Sequence, residues 1–299
     1  MESLLKQSLS LREKVVGNED ISLTEDLSNL AWVSYAYGKN EEAEQAFRRV
    51  LAIQEKVLGP EHHSLATVTG NLAKVCAARR NHEEAESLYS RTLSTLERTL
   101  GRDHLTIAIT LDQLSELHRK QGHYSQAETF LRRSLSIREA SLGPLDPMVG
   151  TTLDSLAMLC HSQRKFLEAE PLYERSLAIW EKVLGPDHPM VATSLSNLAA
   201  LYTVQKKYEE AEPLYLRALT IRDTGWIQGL NSLALLYVAQ GKYKPAELLY
   251  QQALASISKT LDPDRENLIL TLDNYASVLR KLNRRAEAAK LEARAKRVR

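Results

Sequence analysis

The stretch that decides the fold is VLGPDHPMVATSLSNLA, residues 183–199. At its centre Asp187-His188 lies between two prolines. Those residue types suit a catalytic relay or half of a metal site, and they suit a polar turn between two helices equally well. The rest of the chain decides which. VLGPEHHSLATVTGNLA (57–73) and TLGRDHLTIAITLDQLS (99–115) are copies of the stretch, with Glu61-His62 and Asp103-His104 in the same slot and Leu145-Asp146 in a further copy. Glycines fall at 17, 59, 101, 143 and 185, each 42 residues after the last. A feature that recurs with the period belongs to the repeat. Asp187-His188 therefore reads as turn and capping residues, whose side chains accept from exposed backbone N–H groups.

Two helices fit into each period. Helix A, as in 190–206, places Val191, Leu195, Leu198, Ala199, Leu201 and Tyr202 on one broad apolar face. Helix B, from about Glu168 to Val183, does the same with Ala169, Leu172, Tyr173, Leu177 and Ile179. Gly185 supplies the positive φ that ends helix B, and Pro189 suits the first turn of the next helix A. Pro171 and Pro213 are expected near the start of helix B, where proline is tolerated. An Ala-Glu pair opens helix B at Ala43, Ala85, Ala127, Ala169 and Ala211, then Ala246 follows after 35 residues. The short interval is explained by RDTGWIQGL (222–230), which lacks seven linker residues and predicts a local change in superhelical rise.

Small residues at fixed places let helices approach closely: Ala31, Ala73, Ala157, Ala199, Ala234 and Ala276 on helix A, with Ser115 as the exception. An aromatic or Leu four residues after each helix-B alanine (Phe47, Tyr89, Leu131, Tyr173, Tyr215, Tyr250) fills the space between pairs. The expected organisation is one array over 1–299: a lone first helix at 1–16, then helix pairs at about 22–57, 64–99, 106–141, 148–183, 190–223, 226–260 and 267–298. Met1 falls in the slot of the helix-B alanine, so the sequence opens in mid-repeat, either on a natural capping helix or as a fragment of a longer array.

Composition narrows the function classes. The chain has 39 basic and 38 acidic residues, no apolar run long enough to span a membrane, and no apolar leader at its N-terminus. Cys76 and Cys160 offer neither a disulfide framework nor zinc spacing, which points to a reducing compartment and a cytoplasmic location. His63 and His82 do not form a metal-binding helix pair. No G-x-x-x-x-G-K, G-x-G-x-x-G or G-x-S-x-G pattern occurs, so no enzyme activity, cofactor or metal is expected. Residues 280–299 carry nine basic and two acidic residues but no aromatic on which bases could stack. That helix reads as a solvated cap, with no nucleic-acid partner expected.

Small residues on helix A, Ala followed by Tyr or Phe on helix B, and a helix-turn-helix unit resemble the tetratricopeptide repeat. The 42-residue period with LGPDHP and SLSNLA is similar to the variant of kinesin light chains, nephrocystin-3-like proteins and bacterial arrays. The resemblance covers essentially the whole chain. It implies an all-α, right-handed superhelical solenoid that acts as a non-catalytic scaffold or adaptor. The partner would be a protein or extended peptide held along a concave helix-A groove.

Polar residues two positions before each small helix-A residue, Asn29, Asn71, Gln113, Ser155, Asn197, Ser232 and Asn274, would line that groove. Their amides can grip a bound backbone or bond within the repeat. Around them Trp32, Tyr35, Lys74, Asp112, Glu116, Arg119, Lys120, Asp154, Met158 and His161 vary from unit to unit as a specificity surface would. Trp32 and Tyr35 serve as ligand anchors or cover the N-terminal end. The carboxylate clamp of chaperone-binding relatives needs a lysine where this chain has Ser28, Gly70, Asp112, Asp154, Ser196, Asn231 and Asp273, which argues against that mode. Two other roles remain: a ligand-sensing module of a larger enzyme or signalling protein, and self-assembly through the first helix.

Overall fold

A computed structural model describes residues 2–221, 226–258 and 265–299. Among them fifteen α-helices and one short 3-10 helix (Ile21–Leu23) are formed, and no strand. The helices are α1 (Glu2–Val16), α2 (Thr24–Ala36), α3 (Asn40–Leu58), α4 (Leu65–Ala78), α5 (His82–Leu100), α6 (Leu105–Lys120), α7 (Tyr124–Leu142) and α8 (Pro147–Ser162), followed by α9 (Phe166–Leu184), α10 (Pro189–Val204), α11 (Tyr208–Thr220), α12 (Trp226–Ala239), α13 (Tyr243–Ile257), α14 (Arg265–Lys281) and α15 (Arg285–Val298). Even numbers are helices A and odd numbers helices B. Two compact units divide at a repeat turn, Met1–Pro144 holding α1 to α7 and Leu145–Arg299 holding α8 to α15.

The 42-residue punctuation has a physical basis at every turn. Asp20, His62, His104, Asp146 and His188 occupy one slot, and each side chain accepts a backbone N–H two residues on, from Ser22, Ser64, Thr106, Met148 and Met190. Of the Asp187-His188 pair it is His188 that caps, through Nδ1 at 3.1 Å. At the other end, Gly185 takes φ +87° and donates to the Glu181 carbonyl. The turn from helix A to helix B needs a left-handed residue in every pair: Gly38, Arg80, Gly122, Arg164, Lys206, Gly241 and Asn283 all have φ between 60° and 79°.

Inside each pair the small residue admits the large one. Ala31, Ala73, Ala157, Ala199 and Ala234 are fully buried, as are Phe47 and Tyr250, with Tyr89, Tyr173 and Tyr215 at most 3% exposed. Each such aromatic contributes about 1.5–3 kcal/mol by burial. Where Ser115 replaces the alanine, its hydroxyl donates to the Ala127 carbonyl at 2.9 Å and so satisfies itself. Gly150 serves close packing rather than a turn, because a Cβ there would stand 3.0 Å from the Trp180 ring.

Three expectations shift. Helix B begins at Phe166 rather than about Glu168, so Pro171 lies inside α9, beyond the first turn, and Pro213 likewise lies inside α11. A proline there cannot bond the carbonyl four residues back, which in α9 belongs to exposed Leu167. The seven residues missing from the shortened interval come partly from helix B itself: α3, α5, α7 and α9 have 19 residues, α11 only 13. Residues 222–225 of RDTGWIQGL lie outside the described residues, as do Met1 and the segment 259–264, whose first two residues close the sixth expected pair.

Charge pairs knit successive helices B and the turns between them. Arg49, Arg91, Arg133 and Arg217 reach back to Glu13, Glu55, Glu97 and Glu181 on the preceding helix B. The glutamate of the Ala-Glu pair reaches forward to the residue before the next helix B, as in Glu170–Lys207 and Glu247–Arg284. The same slot pairs Glu2 with Lys39. Hydrogen bonds from Lys6 and Lys39 pull the Glu2 carboxyl down to about 2.

Candidate peptide-binding faces

In the first unit the predicted residues Trp32, Tyr35 and Lys74 converge. Trp32 packs edge-on against Tyr35 and Phe47, with ring centroids 5.7 and 5.3 Å apart. The Lys74 ammonium lies 5.2 Å from the Trp32 ring and 5.6 Å from that of Tyr35. Such cation–π contacts at an exposed site are worth about 0.5–1 kcal/mol each. They hold the lysine in place without a carboxylate. Tyr35, Lys74 and Gln113 border an open cavity of about 320 Å³ whose walls also include Tyr89, Glu116 and Lys120. Arg119 is tied to Glu116 by two bonds of 2.7 and 2.8 Å.

In the second unit His161 and Asn197 border a cavity of about 420 Å³ with Met158, Phe166, Tyr173, Ala200 and Val204. His161 stands edge-on to Phe166 at 5.8 Å, and burial holds its imidazole below the ordinary range. Asn29 and Asn274, exposed and half-buried respectively, border neither cavity.

The two cavities occupy the same register two repeats apart. Adding 84 converts Lys74 to Met158, Ala77 to His161, Tyr89 to Tyr173, Gln113 to Asn197, Glu116 to Ala200 and Lys120 to Val204. One architectural pocket is thus written twice, charged in the first unit and largely apolar in the second. The tyrosine assigned from sequence to the core contributes to the wall of each. Its 42-residue spacing was the signal, but that spacing alone cannot show that the buried ring underlies a cavity.

The ladder amides of Asn71, Gln113 and Asn197 make no side-chain hydrogen bond among the described residues, although all three are half-buried. Asp112 and Asp154, expected among the groove residues, are both engaged by their own helix B, Asp112 while also bordering the first cavity. Asp112 accepts from Ser134 at 2.6 Å and pairs with buried Arg138, and Asp154 accepts from Trp180 Nε1 at 3.0 Å. Burial raises the Asp154 carboxyl above the usual range, against bonds from Ser176 and Trp180. The signal was present in Ser134 and Ser176, 42 residues apart on helix B. Buried His118, 3.6 Å from Glu86, carried no sequence signal.

Two groups of potential metal ligands, Glu44, Cys76 and Glu84 and their counterparts Glu128, Cys160 and Glu168, each have their ligand atoms within 4.8 Å of one another, and the first shows what holds them. Arg48 and Arg79 bind Glu44, while Arg48 and Asn81 bind Glu84. Burial pushes the Cys76 thiol up to about 11. Arginine-neutralised carboxylates around a protonated thiol form an internal ion network, and their chemistry does not fit a metal centre.

A family model described as tetratricopeptide repeat matches residues 27–96, 64–140, 148–224 and 226–299. No curated protein matches the chain. Among solved structures, BtubC (BKLC) from P. vanneervenii is 22% identical over 76% of this chain and 92% of its own, with a TM-score of 0.62. A kinesin light chain-like protein of Podosopora anserina with nearly identical TPR-like repeats is 25% identical over 68% and 96%, with a TM-score of 0.61. A tetratricopeptide repeat protein from Parabacteroides merdae is 17% identical over 92% and 93%, with a TM-score of 0.63. Among the described residues no helix is long and apolar enough to cross a membrane.

Proposed function

The chain belongs to the tetratricopeptide-repeat family, and from that premise we propose that it is a non-catalytic, cytoplasmic adaptor that binds protein segments along its helix-A faces. The observation that carries the reading is the set of unpartnered amides. Their amide atoms stay open to solvent with no partner inside the repeat, and a peptide bond satisfies donor and acceptor together. Asn71, Gln113 and Asn197 grip backbone in this reading, with Asn29 and Asn274 extending the ladder. Trp32, Tyr35, Lys74 and Arg119 select polar or charged side chains in the first unit. His161 and its neighbours select apolar ones in the second.

A peptide-library screen tests this with the wild type and an Asn71→Ala/Asn197→Ala variant. Loss of binding by a variant with unchanged helicity supports the amide ladder. Undiminished binding by that variant removes these faces from the function.

Self-association has one specific observation in its favour. On α1, Leu4 and Leu11 are 70% and 65% exposed, whereas Ala46 and Ile53, their counterparts on α3, are buried. We propose end-to-end stacking through this face as the second reading. Sedimentation velocity across a concentration series tests it, and a Leu4→Glu/Leu11→Glu variant that sediments identically at every concentration would exclude it.

A further inference from the structure

The exposed side of α15 carries five cations and one acidic residue, Glu287. Its buried side is formed by Ala288 and Ala295, flanked by half-buried Leu291 and Val298. At about 100° per residue, the exposed residues fall into three rows. Arg285 and Lys296 form one flank, Lys290, Arg294 and Arg297 the other, and Ala286, Ala289 and Ala293 lie between them. The two acidic residues of the helix sit at the margins and are already engaged, Glu287 by Arg284 at 2.6 Å and Glu292 by Arg280 at 2.5 Å. None of the five flank cations forms an ion pair with a carboxylate among the described residues, in contrast to the matched arginines of the earlier helices B.

The geometry points to a phosphate-binding face for B-form DNA, with α15 lying in the major groove. A helix about 10–12 Å across fits a groove about 12 Å wide. Two cation rows on opposite flanks would meet the phosphates of both strands. The alanine row allows the backbone of the helix to approach the groove floor, and it brings no hydrogen-bonding group to base edges, so binding is sequence-independent. A flat bilayer surface would engage only one flank, and the face has no side chain larger than alanine to insert. The major groove of A-form RNA is too narrow to admit the helix. The lack of aromatics excludes base stacking on single strands and leaves phosphate contact open.

The test is fluorescence anisotropy of the full chain with a labelled duplex of roughly 20 bp, between about 50 and about 200 mM salt. Five neutralised phosphates give a log–log salt slope of about −4.5. Lys290→Gln/Arg294→Gln/Arg297→Gln should reduce the slope to about −2 and weaken binding at least about tenfold at the lowest salt. A matched Lys14→Gln/Lys182→Gln/Lys244→Gln variant, which loses the same charge from other helices, should bind as the wild type does. Circular dichroism establishes that both variants fold. Absence of binding at low salt, an equal loss in the matched variant, or equal affinity for duplex RNA overturns the assignment. Tighter binding to phosphatidylserine vesicles than to DNA also overturns it, in favour of a membrane surface.

Discussion

Arg91 on α5 donates to the Glu55 carboxylate on α3 at 2.6 Å and, with the same nitrogen, to the Pro60 carbonyl at 2.9 Å. One side chain therefore clamps the preceding helix B and the turn that leaves it. Arg49 repeats the arrangement with Glu13 and the Asn18 carbonyl, and Arg133 with Glu97 and the Arg102 carbonyl. This is an interface contribution between repeats, and in stacked arrays such contributions set cooperativity.

Replacing Arg91 by Ala is therefore expected to lower stability by about 1 kcal/mol and to broaden the urea transition as well as shift it. Both partners are about a third exposed. Solvent screening limits the coupling to Glu55 in a double-mutant cycle to about 0.5 kcal/mol, and that coupling should shrink at about 1 M salt. An unchanged transition width would show that the clamp does not join the repeats energetically.

The left-handed turns offer a gain. Arg80 and Lys206 hold φ of 63° and 62° in the slot that Gly38, Gly122 and Gly241 fill elsewhere. A non-glycine residue pays about 1–2 kcal/mol there, partly offset by the greater freedom of glycine in the unfolded chain. Lys206→Gly should stabilise by about 0.5–1 kcal/mol, and Gly122→Ala should destabilise by about the same or more, both measurable as shifts in thermal midpoint.

His188 can be separated from a catalytic role by what replaces it. His188→Ala removes the acceptor for the Met190 N–H and should cost about 1 kcal/mol, whereas His188→Asp keeps an acceptor and adds a favourable charge at the helix N-terminus. Equal losses from the two substitutions would contradict capping.

Asp154 gives a pH-dependent test. Its folded carboxyl is held above the ordinary value of 3.8, chiefly by burial. The native state therefore binds its proton more readily than the unfolded state, and this residue's contribution to stability rises as pH falls through the raised value. Asp154→Asn keeps an acceptor for Trp180 and removes the buried charge, so it should stabilise by about 1 kcal/mol at pH 7. The advantage over wild type should fade toward pH 4. Unfolding followed by Trp180 fluorescence reads both, and an advantage that grows on acidification would reverse the assigned sign.

Acidification acts in the opposite direction at Glu170, held below its ordinary value with Lys207 beside it. Its pairing contributes stability above the ordinary glutamate range and loses it as pH falls through the lowered value. Glu170→Gln should therefore be less stable than wild type at pH 7, by about 0.5 kcal/mol for a partly exposed pair, and should converge with it in acid. A constant difference across pH would exclude the linkage.

What the sequence determined by itself was everything local and repeated. The period, the helix pairs, the turn residues and the small-against-large packing are encoded in residues a few positions apart, and five to seven copies reinforce each signal. The tertiary structure alone decided which polar residues face which way. Asp112 and Gln113 are neighbours on α6 and both border the first cavity, yet Asp112 is held by Ser134 and Arg138 while the Gln113 amide makes no side-chain hydrogen bond. A helical turn of about 3.6 residues separates them by about 100°, and the face boundary between them depends on what helix B offers in return. The same holds for Arg91, whose partners lie 36 and 31 residues away, and for the two cavities, where one register carries charged walls in one unit and apolar walls in the other. Those choices rest on groups brought together only by stacking, where the desolvation of each polar atom is weighed against the partner within reach.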